Sequence, residues 1–254
     1  MMKKMFHAML DKMGFALIKP DKRIVVDGLP VDFDKPTVET YRKVKPYTMT
    51  SAERIASLCN AVNYLVQNNI AGDFVECGVW RGGSTMAAID TLIKAGDTSR
   101  EIYLYDTFEG MSEPTEADKL AMGTAAKEMM DTSSREDTTS VWCYSALEEV
   151  QQNVGSLKYP PAKVHYVKGK VEDTIPHTLP GKIALLRLDT DWYESTAHEL
   201  KHLYPLLVSG GVIIIDDYGH WEGARKAVDE YIAAEKLPLL LNRIDYTGRI
   251  GIKY

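Results

Sequence analysis

The sequence predicts an α/β domain built on a doubly wound, mostly parallel sheet, and three observations support this prediction. Five short segments are apolar almost throughout and rich in β-branched residues, which is typical of strands covered on both faces. Helical patterns separate most of these segments. Acidic residues or glycines follow each one, and ligands of such sheets bind outside the carboxyl ends of the strands. The predicted strands are residues 74–79, 101–106, 163–169, 182–189 and 211–217.

The first 70 residues have a different character from the rest of the chain. Residues 1–20 are rich in apolar side chains, but Asp11 and Lys12 interrupt the run and no clear cleavage site follows. This pattern favours an amphipathic helix over a signal peptide, with contact to a membrane surface as the alternative. Helical spacing recurs in residues 51–67, where Ser51 is a candidate N-cap. We interpret residues 1–70 as a helical lid or oligomerisation segment and residues 71–254 as the main domain.

Within the main domain, helical spacing predicts helices at 85–94, about 140–153, 196–207 and 222–235. Thr196 and Glu199 have the spacing of a capping box, so the third of these helices is expected to begin there. Residues 237–244 and 248–254 predict a C-terminal antiparallel hairpin. Residues 111–138 contain no strand signal and are expected to form either a long loop over a site or a mobile loop.

The bulk properties exclude several classes of partner. The 254-residue chain carries a net charge of −6, which argues against nucleic acid or an anionic membrane as the main partner. No apolar run approaches the ~20 residues of a membrane span. The three cysteines are far apart and lack metal-type spacing, which fits the reducing cytoplasm.

The end of the first strand, ECGVWRGGS, carries the pattern of a ligand-binding turn: Glu76, Gly78, Gly82, Gly83 and Ser84. The glycines allow a tight turn and close approach of a ligand to the start of a helix. The spacing G-x-x-x-G-G differs from a dinucleotide fingerprint, and an acid two residues ahead suits a cationic ammonium group without a phosphate. A packing turn without a ligand is the alternative.

The next two strand ends add acids that fit a nucleoside. Asp106 follows Gly78 by 28 residues (106 − 78) and is placed to accept hydrogen bonds from ribose hydroxyls, or simply to cap a turn. Glu172 and Asp173 after the third strand are candidates for an adenine amine, or for an exposed N-cap cluster.

The fourth and fifth strands both end in paired acids, in the segments LRLDTD and IIIDDYGH. Carboxylates gathered at adjacent strand ends are typical ligands of hard divalent cations such as Mg²⁺. A cation also offsets the repulsion between neighbouring acids and keeps them ionised. Ordinary solvated loop residues are the alternative. The acids concerned are Asp189, Asp191, Asp216 and Asp217.

Two enzyme classes fit these acids. LLRLDTD resembles the first motif of haloacid-dehalogenase-type phosphatases, but only 65 residues (254 − 189) follow Asp189, Tyr193 replaces the usual Thr or Val, and the glycine turn stays unexplained. The second class uses every strand end. ECGVWRGGS, IYLYDTFEGM, VKGKVEDTIP, LRLDTDWYEST and IIIDDYGHWEGARKAVDEY together resemble the macrocin O-methyltransferase (TylF) family.

The resemblance implies a Rossmann-like methyltransferase that uses S-adenosylmethionine and a metal to methylate sugar hydroxyls in antibiotic biosynthesis. It implies that the glycine turn holds the methionine part of the cofactor, Asp106 the ribose, and Asp173 lies near the adenine. The metal ligands it implies are Asp189, Asp216 and Asp217. It also implies that residues 47–54 form a lid over cofactor and acceptor.

The proton acceptor and the substrate stay open at this stage. Asp189 and Asp191 are the preferred candidates for the catalytic base. His220 is a third, less favoured candidate, because the neighbouring acids are expected to raise its pKa and keep it protonated. A non-catalytic cofactor-binding homologue is a further alternative. The acceptor is a sugar hydroxyl or a vicinal diol on another scaffold, and a cytoplasmic homo-oligomer is expected.

Overall fold

The computed structural model describes residues 25–137 and 140–254, so the helix predicted within residues 1–20 lies outside the described residues. The chain divides into two compact units, Met1–Val38 and Glu39–Tyr254. In the first unit, β1 (Val25–Val26) and β2 (Leu29–Pro30) form a short antiparallel hairpin. Its turn residues Asp27 and Gly28 have φ of 52° and 80°, as a primed hairpin turn requires. Helix α1 (Lys35–Val44) follows.

The second unit is built on a seven-stranded sheet with the order β5-β4-β3-β6-β7-β9-β8. The first five strands in this order are parallel, and the last two form the predicted antiparallel C-terminal hairpin. The doubly wound, mostly parallel sheet is therefore confirmed. The strands are β3 (Asp73–Cys77), β4 (Ile102–Asp106), β5 (Val164–Lys168), β6 (Ile183–Leu188), β7 (Leu207–Ile215), β8 (Asn242–Arg243) and β9 (Arg249–Ile252).

Helices cover both faces of this sheet, which explains why the central strands are apolar at successive positions. Phe74 packs into one core with α2 and α3, whereas its neighbour Val75 packs into a second core with α7 and α8. The helices of this unit after α1 are α2 (Ala52–Gln67), α3 (Gly83–Lys94), α4 (Ala126–Asp131), α5 (Leu147–Gly155), α6 (Val171–Thr174), α7 (Tyr193–Leu203) and α8 (Glu222–Glu235).

Two helix starts test the capping predictions. Ser51 caps α2 as predicted, because its hydroxyl accepts a hydrogen bond from the backbone N–H of Arg54 at 3.2 Å. The capping box at Thr196 is wrong, because α7 already begins at Tyr193. The buried carboxylate of Asp118 accepts a hydrogen bond from the Tyr193 N–H at 2.7 Å, so the cap comes from a distant segment.

The segment predicted as a long loop, residues 111–138, is anchored to the domain where the structure describes it. It contains α4, whose Ala126 and Met130 pack with Trp192 and Trp221. The predicted helix at about 140–153 begins later, at Leu147. The described part of the segment therefore forms a wall against the ends of β6 and β7, in agreement with a loop over a site.

The carboxylate of Asp90 on α3 is expected to stabilise the domain in a pH-dependent way. It lies 5% exposed, accepts a hydrogen bond from Thr40 at 2.6 Å and forms ion pairs with Lys43 and Lys94. Burial alone raises the pKa of Asp90, but the hydrogen bonds from Lys43, Lys94 and Thr40 outweigh it and lower the pKa below its ordinary value.

We predict that Asp90→Asn lowers the free energy of unfolding at pH 7 by about 1–3 kcal/mol, the usual range for a buried hydrogen bond to a charged group. Because the folded-state pKa is the lower one, this stabilisation is complete above the ordinary aspartate pKa of ~3.9 and is lost as the pH falls through the folded-state value. Urea titrations at pH 7 and at successive pH values below 4 measure the effect. Asp131→Asn, an exposed pair with Lys127, is the control. A constant difference between Asp90→Asn and wild type at all pH values would contradict the assignment.

Candidate active site

A cavity of about 430 Å³ opens at the carboxyl edge of the sheet. The ends of β3, β4 and β5 line one half, which contains Gly78, Ser84 and Asp106. The ends of β6 and β7 and the β8–β9 turn line the other half, which contains the predicted acids and Tyr246. The segment 47–50 and Arg54 of α2 also line it. All five sequence motifs therefore contribute to one cavity.

The glycine turn after β3 depends on close backbone packing. Gly78 has φ of 79°, and a Cβ there would collide with the backbone oxygen of Asp189. A Cβ on Gly83 would collide with the backbone of Tyr47. Both glycines line the cavity, so the turn joins the segment 47–50, the start of α3 and the end of β6 at one point.

Asp106 fixes this turn with its side chain. One carboxylate oxygen accepts hydrogen bonds from the N–H groups of Val79 (2.6 Å) and Trp80 (3.1 Å), and the other accepts one from Phe108 at 2.7 Å. Three of the roughly four acceptor positions of the carboxylate are thus used by backbone. Burial raises the pKa of Asp106, whereas these backbone hydrogen bonds oppose the shift.

The predicted cofactor residues divide into two groups. Gly78, Gly83, Ser84 and Asp106 line the cavity. The other three, Glu76, Gly82 and Asp173, do not line it.

Each residue of the second group has a different environment. Glu76 is buried and accepts hydrogen bonds from Arg187 (2.6 Å) and Thr85. Gly82 is packed against Val150 and Val154 of α5. Asp173 is exposed on α6, and its neighbour Glu172 lines the cavity instead. Glu76, Gly82 and Asp173 therefore do not line the cavity, and direct contact of these residues with the cofactor stays a prediction.

A buried arginine, Arg187, organises the acids of neighbouring strands. It is 4% exposed and pairs with Glu76 (2.6 Å), Asp189 (2.7 Å) and Asp216 (2.6 Å). Arg187 lies beside Glu76 in the register of β6 and β3, and Asp189 follows two residues later on the same face of the sheet. Burial alone lowers the pKa of Arg187, but Asp189, Asp216 and Glu76 raise it well above its ordinary value.

A second arginine, Arg54 of α2, extends the ion-pair network to the C-terminal hairpin. Its Nη1 pairs with the second oxygen of Asp216, and its Nε lies 3.0 Å from Asp245, an ion pair without hydrogen-bond geometry. Asp245 also accepts a hydrogen bond from Ser51 at 2.8 Å. Two guanidinium groups therefore hold Asp216. Sequence analysis missed both arginines, although a charged residue inside the apolar run IALLRLD was a signal.

Asp189, Asp216 and Asp217 come together as predicted, with one carboxylate oxygen of each within 4.8 Å of the others. Asp217 Oδ2 is buried without a hydrogen-bond partner. Burial raises the pKa of Asp217 well above its ordinary value, and the charges of Asp191 and Asp216 add to this shift. Burial and the charges of Asp216 and Asp217 do the same for Asp189, although Arg187 opposes the shift. An oxygen-rich group with an unpartnered carboxylate oxygen fits a hard divalent cation.

Asp191 lies at the edge of this group. Its backbone has φ of 66°, in the left-handed region, and its side chain lines the cavity. Burial, followed by the charge of Asp189, raises the pKa of Asp191 to about 7. Within residues 25–137 and 140–254, no lysine or arginine forms an ion pair with Asp191.

The expected pKa shift of His220 is wrong in sign. His220 lines the cavity, with its ring centroid 5.0 Å from that of Trp221 and 6.1 Å from that of Tyr246. Burial and then the positive charge of Arg54 lower the pKa of His220. The prediction failed because the sequence shows neither that His220 is partly buried nor that an arginine from α2 lies next to the acid pair.

The chain is similar to known O-methyltransferases over most of its length. The family model for macrocin O-methyltransferase (TylF) matches residues 4–250. The chain is 34% identical, over 90% of its length and 84% of the relative, to an 8-demethyl-8-(2,3-dimethoxy-alpha-L-rhamnosyl)-tetracenomycin-C 4'-O-methyltransferase of Streptomyces olivaceus. It is 32% identical to a demethyldecarbamoylnovobiocin O-methyltransferase of Streptomyces niveus, over 80% of this chain and 74% of the relative.

Solved structures support the same grouping. The O-methyltransferase NovP superposes with a TM-score of 0.70 at 30% identity, covering 82% of each chain. The calicheamicin methyltransferase CalS11, at 14% identity and a TM-score of 0.59, shares the fold.

In residues 25–137 and 140–254, no helix has the length and apolar character needed to cross a bilayer.

We predict that Arg187→Met is strongly destabilising, because it leaves three carboxylates of the buried network without their shared partner. The expected loss is about 3–5 kcal/mol in the free energy of unfolding, the usual cost of removing one partner of a buried ion pair. Urea denaturation followed by circular dichroism measures it. Arg225→Met, on the exposed side of α8, is the matched control. A loss no larger than that of the control would show that Arg187 does not hold the network together.

Proposed function

This chain belongs to the macrocin O-methyltransferase (TylF) family of S-adenosylmethionine-dependent enzymes, and we propose that it methylates a hydroxyl group of a sugar or sugar-containing natural product with the help of a divalent cation such as Mg²⁺. One observation carries this proposal. The glycine turn of β3 and the carboxylates of β6 and β7 line a single cavity, so a methyl donor and a cation-bound acceptor would lie side by side.

The donor half of the cavity suits S-adenosylmethionine. Gly78 and Ser84 border the place expected for the methionine part. Glu76 does not line the cavity and contributes indirectly, by accepting hydrogen bonds from Arg187 and Thr85. Asp106 keeps the turn in place, and a ribose hydroxyl would replace the long hydrogen bond of 3.4 Å that its Oδ1 accepts from Thr107 Oγ1. Glu172, rather than the predicted Asp173, lines the end of the cavity nearest β5, where an adenine amine would lie.

Asp189, Asp216 and Asp217 would hold the cation. Asp217 Oδ2 has no competing partner, whereas both oxygens of Asp216 are engaged by Arg187 and Arg54. A bound divalent cation supplies Lewis-acid polarisation of the acceptor hydroxyl, which lowers its pKa. The side chains around it position the hydroxyl for in-line attack on the methyl group, and alignment of this kind accounts for a large part of such rate accelerations.

Asp191 is the better of the two aspartate candidates for the base. Asp189 pairs with Arg187 at 2.7 Å and belongs to the acid triad. Its carboxylate oxygens are therefore engaged by the guanidinium group and by the proposed cation. Asp191 lines the cavity next to the triad without such a partner and can accept the hydroxyl proton.

The acceptor half has an apolar rim. Tyr246, on the β8–β9 turn, is 61% exposed and lines the cavity together with Met49, which is 46% exposed. Both lie on segments connected through Asp245, which bonds Ser51 and pairs with Arg54. An apolar rim around a polar centre suits a sugar attached to a larger, weakly polar scaffold, as the names of the relatives suggest.

The alternatives have less support. The match over residues 4–250 favours methyl transfer over a haloacid-dehalogenase-type phosphatase. Asp217, which lines the cavity, keeps a buried carboxylate oxygen without a hydrogen-bond partner, and this argues against a homologue that has lost its chemistry. A homo-oligomer, a cytoplasmic location and the role of residues 1–70 as a lid or oligomerisation segment stay predictions.

We predict that Asp217→Asn abolishes cation binding and leaves the donor half intact. Titration with Mn²⁺, followed by electron paramagnetic resonance, should show binding to wild type and a large loss in the variant. Calorimetry with S-adenosylhomocysteine should give the same affinity for both. With labelled S-adenosylmethionine and a panel of glycosides, chelation by EDTA should stop turnover. Asp229→Asn, on the exposed side of α8, is the matched control. Equal Mn²⁺ affinity in Asp217→Asn and wild type would refute the cation site.

For Asp191→Asn, we expect a fall in kcat of about 10²–10⁴-fold, the usual contribution of a positioned general base. The affinities for S-adenosylhomocysteine and Mn²⁺ should stay close to those of wild type, because Asp191 is not assigned to either site. Turnover of the best glycoside of the panel measures the effect. Activity within threefold of wild type would transfer the role of the base to another residue.

A further inference from the structure

The segment between β6 and α7 forms a tight turn that carries two of the proposed site residues. Asp189 is tied to β3, because its N–H donates to the backbone oxygen of Cys77 at 2.9 Å. Asp191 has φ of 66°, and the N–H of Trp192 donates to the Thr190 oxygen across it at 2.7 Å. A non-glycine residue in the left-handed region is held there only when its surroundings impose that conformation.

The side chain of Thr190 meets a completely buried acid. Thr190 Oγ1 donates a hydrogen bond of 2.9 Å to Oε1 of Glu199, which lies two turns into α7 and is 0% exposed. Oε2 of Glu199 has no hydrogen-bond partner. Burial raises the pKa of Glu199 well above its ordinary value, whereas the hydrogen bond from Thr190 opposes the shift.

Neither Thr190 nor Glu199 has a part in the proposed chemistry, and the contact between them is costly to bury. A buried polar atom without a partner destabilises a protein by about 1–3 kcal/mol. An apolar side chain at 199 would avoid this cost. The stability of α7 therefore does not explain why a glutamate occupies this buried position.

We propose that Glu199 is a positioning residue which, through Thr190, holds the Asp189–Asp191 turn in the conformation that the cation site needs. This inference rests on the cation site of the proposed function. When the hydrogen bond is present, the rigid α7 helix fixes the centre of the turn while Cys77 fixes its start.

Without the hydrogen bond, two effects act in the same direction. The left-handed conformation of Asp191 costs of order 1–3 kcal/mol and favours relaxation of the turn. The carboxylates of Asp189, Asp191 and Asp217 repel one another, which also moves the turn outward. Both effects take Asp189 away from Asp217, and the triad loses the separation that suits a cation.

Mn²⁺ affinity is the direct test, measured by electron paramagnetic resonance on the full-length protein. Thr190→Val keeps the shape and removes the donor, and Glu199→Leu removes the acceptor. Each should weaken Mn²⁺ binding about tenfold, at the lower end of the usual effect of residues that support metal ligands. The double variant should bind no more weakly than either single variant, because both remove one interaction.

Conservative variants and a matched control separate positioning from general destabilisation. Thr190→Ser keeps the hydroxyl, and Glu199→Gln keeps a carbonyl oxygen that can accept its hydrogen bond, so both should bind Mn²⁺ within about twofold of wild type, since positioned outer residues act through their hydrogen bonds. Thr196→Val changes a buried threonine of the same helix, whose side chain forms no hydrogen bond with residues 189–191 in the part of the chain that the structure describes. The affinity for S-adenosylhomocysteine should be unchanged in all variants, because the donor half lies at the ends of β3, β4 and β5.

The outcomes distinguish this inference from the proposed function. If wild type does not bind Mn²⁺, the cation site itself is wrong and the inference fails with it. If wild type binds Mn²⁺ and Thr190→Val binds equally well, only the positioning role is wrong. Additive losses in the double variant, or equal losses in Thr196→Val, would also overturn it. If Glu199→Leu does not fold, Thr190→Val with its Thr190→Ser partner decides the question.

Discussion

The arrangement of this domain depends on one buried arginine. Arg187 lies in the central strand β6 and pairs with acids from β3, the end of β6 and the end of β7. A guanidinium in this position is costly to bury unless every neighbour is an acid, and acids in this position are costly unless a cation is present. Each side of the network therefore requires the other. The central strand ends are held together by charge as well as by backbone hydrogen bonds.

Arg54 connects this centre to the outer parts of the domain. It brings α2 onto Asp216 and pairs with Asp245, so the segment 47–54 and the C-terminal hairpin are joined at the cavity. The half of the cavity proposed for the donor needs only the ends of β3, β4 and β5, with the glycine turn after β3. The acceptor half needs segments from nearly the whole length of the second unit. This difference gives a physical reason for a constant methyl donor and variable acceptors within one family.

Sequence analysis was most successful where a short-range pattern decides the structure. The strands, the hairpin and the Ser51 cap follow from period-two and period-3.6 patterns and from local hydrogen bonds, and all are present. It failed where a distant residue intervened. Asp118 caps α7 in place of Thr196, and Glu199 turns inward to Thr190. The same limit explains His220, because burial by the surrounding segments and then the charge of Arg54 from α2 lower its pKa.

The sequence by itself determined the fold class and the grouping of the acids, because the carboxyl ends of parallel strands meet at one edge of a sheet. It also determined the family, through five motifs in order. Only the tertiary structure decided which carboxylates are already neutralised by arginine and which still have an oxygen without a partner. That distinction depends on which charges from remote segments come within a few ångströms, and no local pattern in a sequence records such distances.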